Sequence, residues 1–487
     1  MMQLKELLKP WHEHLDALEV IKGLACDSRQ VQPGFLFLAY PGVQNDGRLF
    51  IDDAIQAGAI AVVYDPENAV VTAEAIQVKA YPIAHLAQQI ALLASRFYHY
   101  PTRALKVIGV TGTNGKTTIS YQLTQAYRAL KKSCAYIGTL GFDAAGCMEI
   151  LTNTTPSPLV LQELLARCVT QHIQYINMEV SSHALVQKRV EAIDFEQAIF
   201  TNLTLDHLDY HQTMAHYAKA KSLLFKMPTL KWAIINEDDK YASLMKDQLQ
   251  PHVRCLTYGF SKQSQLRAVS YTMDLAGTSL KMTQALKTFN VRLKTIGEFN
   301  IYNTLAITAS LIASGFSVEQ ILPVLETLNA APGRMEIVHH QPYVIVDFAH
   351  TPDALENVLK TLVALKKGQV IVVFGCGGGR DKTKRALMGQ IAATYADKII
   401  ITSDNPRLDD PQSIIDDIKT GIPATCAIQT FVSRQKAIEY ALKVAQKNDT
   451  VLIAGKGHEA YQIIGTTRYD FSDQAVVKAA FKAAQPQ

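Results

Sequence analysis

No two of the seven cysteines in this 487-residue sequence are spaced as C-x-x-C, and they form an odd, scattered set (Cys26, Cys134, Cys147, Cys168, Cys255, Cys376, Cys426). That argues against a disulfide framework or a zinc site and fits a reducing, cytoplasmic setting best. No apolar run approaches about 18 residues, and the opening MMQLKELLKP lacks the apolar core and small-residue cleavage site of a signal peptide. Insertion into a membrane is not expected. Charge of one sign is scarce as well. The net charge is +4, with no lysine or arginine block, so nucleic acid and anionic membrane are not expected partners, although a basic pocket for a phosphorylated small molecule stays open. Internal repeats and low-complexity tracts are missing too.

The bulk of the chain is ordinary globular material, 48% hydrophobic and 19% charged. Its length is past the roughly 250 to 300 residues at which one core stops growing, so two or three domains are expected. The first hundred residues alternate short apolar runs (34–39, 59–64) with polar turns such as 43–47, then close on an apolar helical stretch at 83–97. They read as a small α/β domain ending near Tyr100-Pro101. From Lys106 onward, β-branched runs at 107–110, 134–137, 175–180, 198–201 and 232–236 each end in a polar loop and alternate with helical segments. This predicts a largely parallel sheet with helices on both faces. After Pro332-Gly333 a further series (343–348, 370–374, 398–402, 450–454) predicts a separate doubly wound α/β domain, whose ligands belong beyond the carboxyl ends of its strands. The expected division is 1–100, 101–331 and 332–487.

Between the run 107–110 and a helical stretch at 118–130 lies Thr111-Gly112-Thr113-Asn114-Gly115-Lys116-Thr117-Thr118. Backbone amides of a glycine-rich turn at a helix N-terminus bind phosphate oxygens, and a lysine there adds a point charge. The common P-loop pattern wants glycine where Val110 stands, so this is a shorter variant. Lys116 is expected on the β and γ phosphates and the Thr117 hydroxyl on Mg2+, with ATP as the nucleotide. Two strand-end groups, Glu179 and His207, could complete a magnesium shell, although in isolation such residues are more often helix caps or surface groups. The bland counterpart for the whole segment is a turn that binds nothing.

The phosphate loop resembles that of Mur ligases and folylpolyglutamate synthetases. Further motifs follow in order: Glu179-Val180-Ser181-Ser182-His183, Asp206-His207-Leu208-Asp209-Tyr210-His211, Tyr217-Ala218-Lys219-Ala220-Lys221, and Gly297-Glu298-Phe299-Asn300-Ile301-Tyr302-Asn303. Pro332-Gly333-Arg334-Met335-Glu336, Asp347-Phe348-Ala349-His350-Thr351-Pro352 and Ser403-Asp404-Asn405-Pro406-Arg407 complete the series. Over nearly its whole length the chain resembles the Mur ligase family. The resemblance implies an α/β protein of three domains: an N-terminal uridine-binding domain, a central P-loop ATPase-like parallel-sheet domain and a C-terminal Rossmann-like domain. It implies nucleotide contacts from Gly112, Thr113, Asn114, Gly115, Lys116, Thr117, Thr118, Asn300, Asn303, Arg334, Asp347 and His350. Lys221 is implied to be carbamylated (N6-carboxylysine) and to ligate Mg2+ with Thr117, Glu179 and His207.

Further residues follow from motif position. Cys26, Ser28, Val43, Gln44, Asn45, Asn153, Thr154, Thr155, Ser181, Gln187 and Arg189 are implied to hold a UDP-sugar peptide. Arg380, Asp404, Asn405, Pro406, Arg407, Gly455 and Glu459 are implied to hold the incoming amino acid. The Asp-Asn-Pro-Arg phrase is the family's diaminopimelate signature, and a guanidinium can grip a second carboxylate through two parallel hydrogen bonds. The activity implied is ATP-dependent ligation of meso-2,6-diaminopimelate to UDP-N-acetylmuramoyl-L-alanyl-D-glutamate by a monomer. Alternatives are a relative adding L-lysine or polyglutamate, or a P-loop phosphotransferase. Three positions depart from the family pattern: Val43 replaces a histidine, Phe348 a tyrosine and Gly379 an aspartate.

Overall fold

The computed structural model describes residues 1–42, 45–68, 78–144, 146–285, 287–379 and 381–483. Three of the candidate site residues, Val43, Gln44 and Arg380, lie outside them. The chain packs as two compact units, one made of residues 1–109, 132–196 and 227–230, the other of 110–131, 197–226 and 231–487.

In the first unit, strands Gly23–Ala25, Phe35–Ala39, Ala59–Tyr64 and Lys79–Pro82 form a four-stranded parallel sheet in sequence order. Parallel strands covered on both faces read as continuous apolar runs, and the segment Ala59–Tyr64, at the expected place, is one. Helix Leu86–Phe97 starts three residues after its apolar stretch opens, because Ile83 still donates its N–H to Tyr64 O and His85 turns left-handed at φ +54°. Leu36, Leu38, Ala61, Val63, Ile90 and Leu93 build one core here. A second group of strands runs Met148–Glu149, Gly141–Asp143, Cys134–Gly138, Tyr175–Glu179, Lys106–Thr111. Its buried carboxylate, Glu179, ends the strand that carries it.

In the second unit, strands Phe195–Phe200, Trp232–Asn236 and Arg254–Gly259 lie parallel. They continue into an antiparallel meander, Leu266–Asp274, Gly277–Gln284 and Lys287–Leu293. The sequence does not announce the meander, since Val269, Ser270, Tyr271 and Thr272 are all exposed and no buried run marks the strand. Helix Lys116–Ala129 opens two residues before its predicted start, directly after the left-handed Gly115.

The same unit holds a six-stranded sheet in the order Glu336–His340, Tyr343–Asp347, Thr450–Ala454, Val370–Phe374, Lys398–Thr402, Ile428–Phe431. All neighbours are parallel except the first pair. Strands Val370–Phe374, Lys398–Thr402 and Thr450–Ala454 fall on the runs read from sequence. Helices Pro352–Leu365 and Thr383–Tyr395 cover one face through Leu355, Leu359, Leu362 and Met388. Helix Arg434–Val444 covers the other through Ala437, Ile438 and Ala441. Each fully buried aliphatic side chain contributes about 1.5 to 3 kcal/mol. The carboxyl ends of these strands carry the loops 375–379, 403–409 and 455–459.

Candidate active site

The phosphate loop is shaped by close approach. A Cβ on Gly112 would lie 1.8 Å from Thr201 Oγ1, and one on Gly115, whose φ is +88°, would lie 2.6 Å from Asn303 Oδ1. Neither position tolerates a side chain. The segment 201–204 templates the loop. Thr113 N donates to Asn202 O (2.8 Å), Asn114 N to Asn202 Oδ1 (2.9 Å), and Thr201 Oγ1 to Asn114 O (2.6 Å). Lys116 folds back over the turn, its Nζ donating to Gly112 O and Thr113 O at 2.8 Å each. Thr117 and Thr118 are buried in the first helical turn, and Thr117 Oγ1 accepts from Arg334 Nη2 at 3.3 Å.

Lys221, on helix Met214–Ser222, is 1% exposed and donates its Nζ to Gly112 O at 2.8 Å. Burial, and then the charge of Lys116, hold its amine well below the ordinary lysine range. Tyr217 lies beneath that amine, 4.5 Å from ring centre to Nζ, and its hydroxyl meets Thr113 Oγ1 at 3.2 Å. His207 stands edge-on to the same Tyr217 ring at 6.1 Å and faces Asp206 at 3.4 Å. Lys116, Lys221, His207 and Thr117 therefore gather around one loop.

The asparagines divide their work. Asn300 is bonded on both sides, donating to Ile296 O (2.8 Å) and accepting from Asn303 Nδ2 (2.9 Å), and Asn303 Oδ1 is the atom against Gly115. Asp347 caps its own turn by accepting from Met335 N and Ala349 N at 2.7 Å, and burial pushes its carboxyl up against the pull of Arg334. The Arg334 guanidinium lies 4.4 Å over the Phe348 ring, so the phenylalanine that replaces a tyrosine still offers a π-face. His350 meets Phe348 O through Nδ1 at 2.9 Å.

In the first unit the expected peptide-binding residues form a group. Glu179 is fully buried, and its carboxylate accepts from Tyr136 OH (2.6 Å), Thr139 N (2.8 Å) and Thr139 Oγ1 (3.1 Å). Thr154 Oγ1 meets Thr139 Oγ1 at 3.0 Å, while Thr155 Oγ1 donates to Glu179 O and accepts from Ser181 N. Ser181 caps helix Ser182–Val186. Arg189 reaches Thr155 O through Nη1 at 2.8 Å and Gln187 Oε1 through Nε and Nη2. Asn153 is exposed beside Thr152. Elsewhere in this unit, burial pushes the Cys26 thiol up to about 11, Ser28 opens a short 3-10 turn, and Asn45 O accepts from Gly42 N.

The residues expected to hold the amino acid lie on three loops beside the hairpin Tyr461–Ile464/Thr467–Asp470. Arg407, left-handed at φ +53°, donates through Nη1 to Gly378 O at 2.9 Å, and its backbone N donates to Ile463 O at 3.1 Å. Pro406 O lies 1.8 Å from where a Cβ of Gly378 would sit, and Asp404 Oδ2 lies 2.6 Å from that of Gly455. Asn405 Nδ2 donates to Glu459 Oε2 at 2.9 Å. Burial raises Asp404 while Arg434 and Lys456 oppose it; burial also works upward on Glu459, but Lys456 and Asn405 prevail and hold that carboxyl low.

Family models match three stretches of the chain: Mur ligase family, catalytic domain (20–98), Mur ligase middle domain (110–311) and Mur ligase, glutamate ligase domain (333–457). A UDP-N-acetylmuramoyl-L-alanyl-D-glutamate--2,6-diaminopimelate ligase of Geobacillus thermodenitrificans is 43% identical over 95% of both chains. The chain belongs to the Mur ligase family. The like-named ligase of Synechococcus elongatus is 44% identical, covering 99% of this chain and 97% of its own. A solved structure of a ligase bearing that name is similar at TM-score 0.72 and 34% identity, with both chains fully covered.

In this Mur ligase several site-building residues escaped the sequence reading. Tyr136 and Thr139 hold Glu179, and Asn202 templates the phosphate loop. Buried Arg385 bonds Asp409, Asp417 and Gly377 O, stitching two of the amino-acid loops together. A signal existed for Asn202, which directly follows the strand run 198–201 at the start of its polar loop. The others are joined to their partners only by folding.

Proposed function

We propose that the chain joins meso-2,6-diaminopimelate to the D-glutamate γ-carboxylate of UDP-N-acetylmuramoyl-L-alanyl-D-glutamate at the expense of ATP, in peptidoglycan precursor synthesis. The division 1–100 for the UDP-sugar, 101–331 for ATP and 332–487 for the amino acid is part of the proposal. The observation that carries it is the convergence of Arg407, Asn405 and Glu459 at the strand ends of the last sheet. Asn405 links the other two, its backbone O accepting from Arg407 Nη1 at 3.5 Å and its Nδ2 donating to Glu459. A guanidinium and a carboxylate joined in this way suit an amino acid whose far end bears both a carboxylate and an ammonium. The names of the relatives support the same reading.

A carboxylate does not react with an amine at neutral pH, so it is first phosphorylated. Its oxygen attacks the γ-phosphorus of ATP, the bond to the β-phosphate oxygen breaks, and ADP leaves. The amine then attacks the acyl carbon, a proton is lost and inorganic phosphate departs, leaving the amide. Phosphoryl transfer of this kind is mostly positioning and charge neutralisation. Lys116 supplies the charge once it exchanges the carbonyls of Gly112 and Thr113 for phosphate oxygens. Bound Mg2+ would neutralise the phosphate oxygens. The residues fit that hard cation if Lys221 is carbamylated, since a carbamate and the Thr117 hydroxyl are both oxygen donors beside the loop. His207, in the same unit, is proposed as a further ligand from its motif position, as is Glu179 from its own. A cytoplasmic monomer is proposed; among the described residues no helix is long and apolar enough to cross a membrane.

The test is a panel of amino acids (meso-diaminopimelate, L-lysine, L-glutamate) incubated with the UDP-dipeptide and ATP and read by product mass. The expected result is one tripeptide, with diaminopimelate. ATP turnover that needs no amino acid would point to a phosphotransferase instead.

A further inference from the structure

Lys456 follows strand Thr450–Ala454 and is completely buried. An ammonium group is among the costliest to bury, so its bonds matter. Nζ donates to Asn405 Oδ1 at 3.1 Å and to Glu459 Oε2 at 2.9 Å, and lies 3.9 Å from Asp404 Oδ1. Asn405 is thereby fixed at both ends, because its Oδ1 also accepts from Ile463 N and its Nδ2 donates to Glu459 Oε2. Among the described residues Oε2 of Glu459 takes two bonds, whereas Oε1 takes one long bond of 3.4 Å from Tyr461 OH.

Charge points the same way. Another buried cation nearby, Arg434, is bonded to Asp473 through two bonds of 2.8 Å and to Ala454 O at 2.9 Å. Its charge also reaches Asp404 and Glu459, so Arg434 and Lys456 together face three carboxylates, Asp404, Glu459 and Asp473. Among these buried groups two cations against three carboxylates leave one positive charge missing.

We propose that Lys456 is a positioning residue for the amino-acid substrate. It occupies Glu459 Oε2 and Asn405 Oδ1, so that Glu459 Oε1, with its long bond from Tyr461, is turned to the substrate's distal ammonium, which supplies the missing positive charge. The inference rests on the diaminopimelate reading above and deepens it by naming what holds the ammonium-reading carboxylate in place.

The experiment compares meso-diaminopimelate with 2-aminopimelate, which keeps both carboxylates but lacks the distal amine, in wild type, Lys456→Met and Lys456→Gln. In Lys456→Met, KM for diaminopimelate should rise about 30-fold or more, as when one partner of a buried hydrogen-bonded charge pair is removed. KM for 2-aminopimelate should move far less, kcat should change less than KM, and Lys456→Gln should fall between. Equal losses with both amino acids, or failure of both variants to fold, would make Lys456 a structural residue and overturn the proposal alone. Wild-type enzyme that never joins diaminopimelate would overturn the underlying reading as well.

Discussion

Lys116 and Lys221 donate to the same carbonyl oxygen, that of Gly112, each at 2.8 Å. Two ammonium groups sharing one acceptor in a buried site repel each other, and the fully buried one gives way. Lys221 is driven toward the neutral amine, first by burial and then by Lys116. A neutral amine is the form that attacks carbon dioxide. In the carbamylation proposed for Lys221 the N–C bond would form as one C=O bond of carbon dioxide opens, a proton would leave, and the product would be an anion beside Lys116. Repulsion between two lysines would then become attraction between a carbamate and a lysine.

Lys221→Ala should therefore abolish ligation, and small carboxylic acids should restore part of it by standing in for the carbamate. Labelled bicarbonate should give wild-type protein a carbamate carbon resonance that is missing from the variant. Full activity of Lys221→Ala without any added acid would remove this role.

Arg407 is held by its backbone, through Ile463 O and Gly465 N, and by side-chain bonds from Nη1 to Gly378 O and, longer, to Asn405 O. A second carboxylate on the substrate would gain charge-assisted hydrogen bonds from it, so Arg407→Ala should raise KM for diaminopimelate about 10- to 100-fold. L-lysine, which lacks that carboxylate, should be affected much less. Steady-state kinetics with the two amino acids decide it; unchanged use of diaminopimelate would remove the basis for that substrate.

What the sequence makes legible follows burial. Trp232–Asn236, Val370–Phe374 and Thr450–Ala454 are central strands, so nearly every residue is apolar and the run has sharp ends. Leu266–Asp274 turns Val269, Ser270, Tyr271 and Thr272 to solvent, and its composition says little. The phosphate loop is legible because close packing against Thr201 and Asn303 demands glycine at two fixed spacings before a lysine. Lys456 is not, because a buried and a solvated lysine look alike until Asn405, 51 residues away, is folded against it.

His350 offers a pH test. Burial, then Lys384, holds its imidazole below the ordinary 6.5, so the unfolded chain takes up a proton more readily than the folded one. The folded state gains from this above about pH 6.5 and loses the gain as pH falls through the folded value. Urea unfolding without nucleotide, between about pH 7.5 and about 5.5, should show stability falling more steeply in wild type than in His350→Gln. Parallel profiles would mean that His350 does not titrate differently on folding.

Arg434 and Asp473 are both 0% exposed and share two bonds of 2.8 Å, with a third from Arg434 to Ala454 O. Breaking such a pair from one side strands a charge in the core, which costs about 3 to 5 kcal/mol. Asp473→Ala should accordingly lower the melting temperature by on the order of 10 °C. Replacing both, as Arg434→Met with Asp473→Leu, removes the attraction and the desolvation cost together and should recover most of the loss. Arg434 also anchors the carbonyl at the end of the strand leading to Gly455 and Lys456, so the double variant should melt near wild type yet bind diaminopimelate more weakly. Calorimetry beside KM for that amino acid separates the two effects, and a double variant as unstable as Asp473→Ala would show that the pair itself holds the fold.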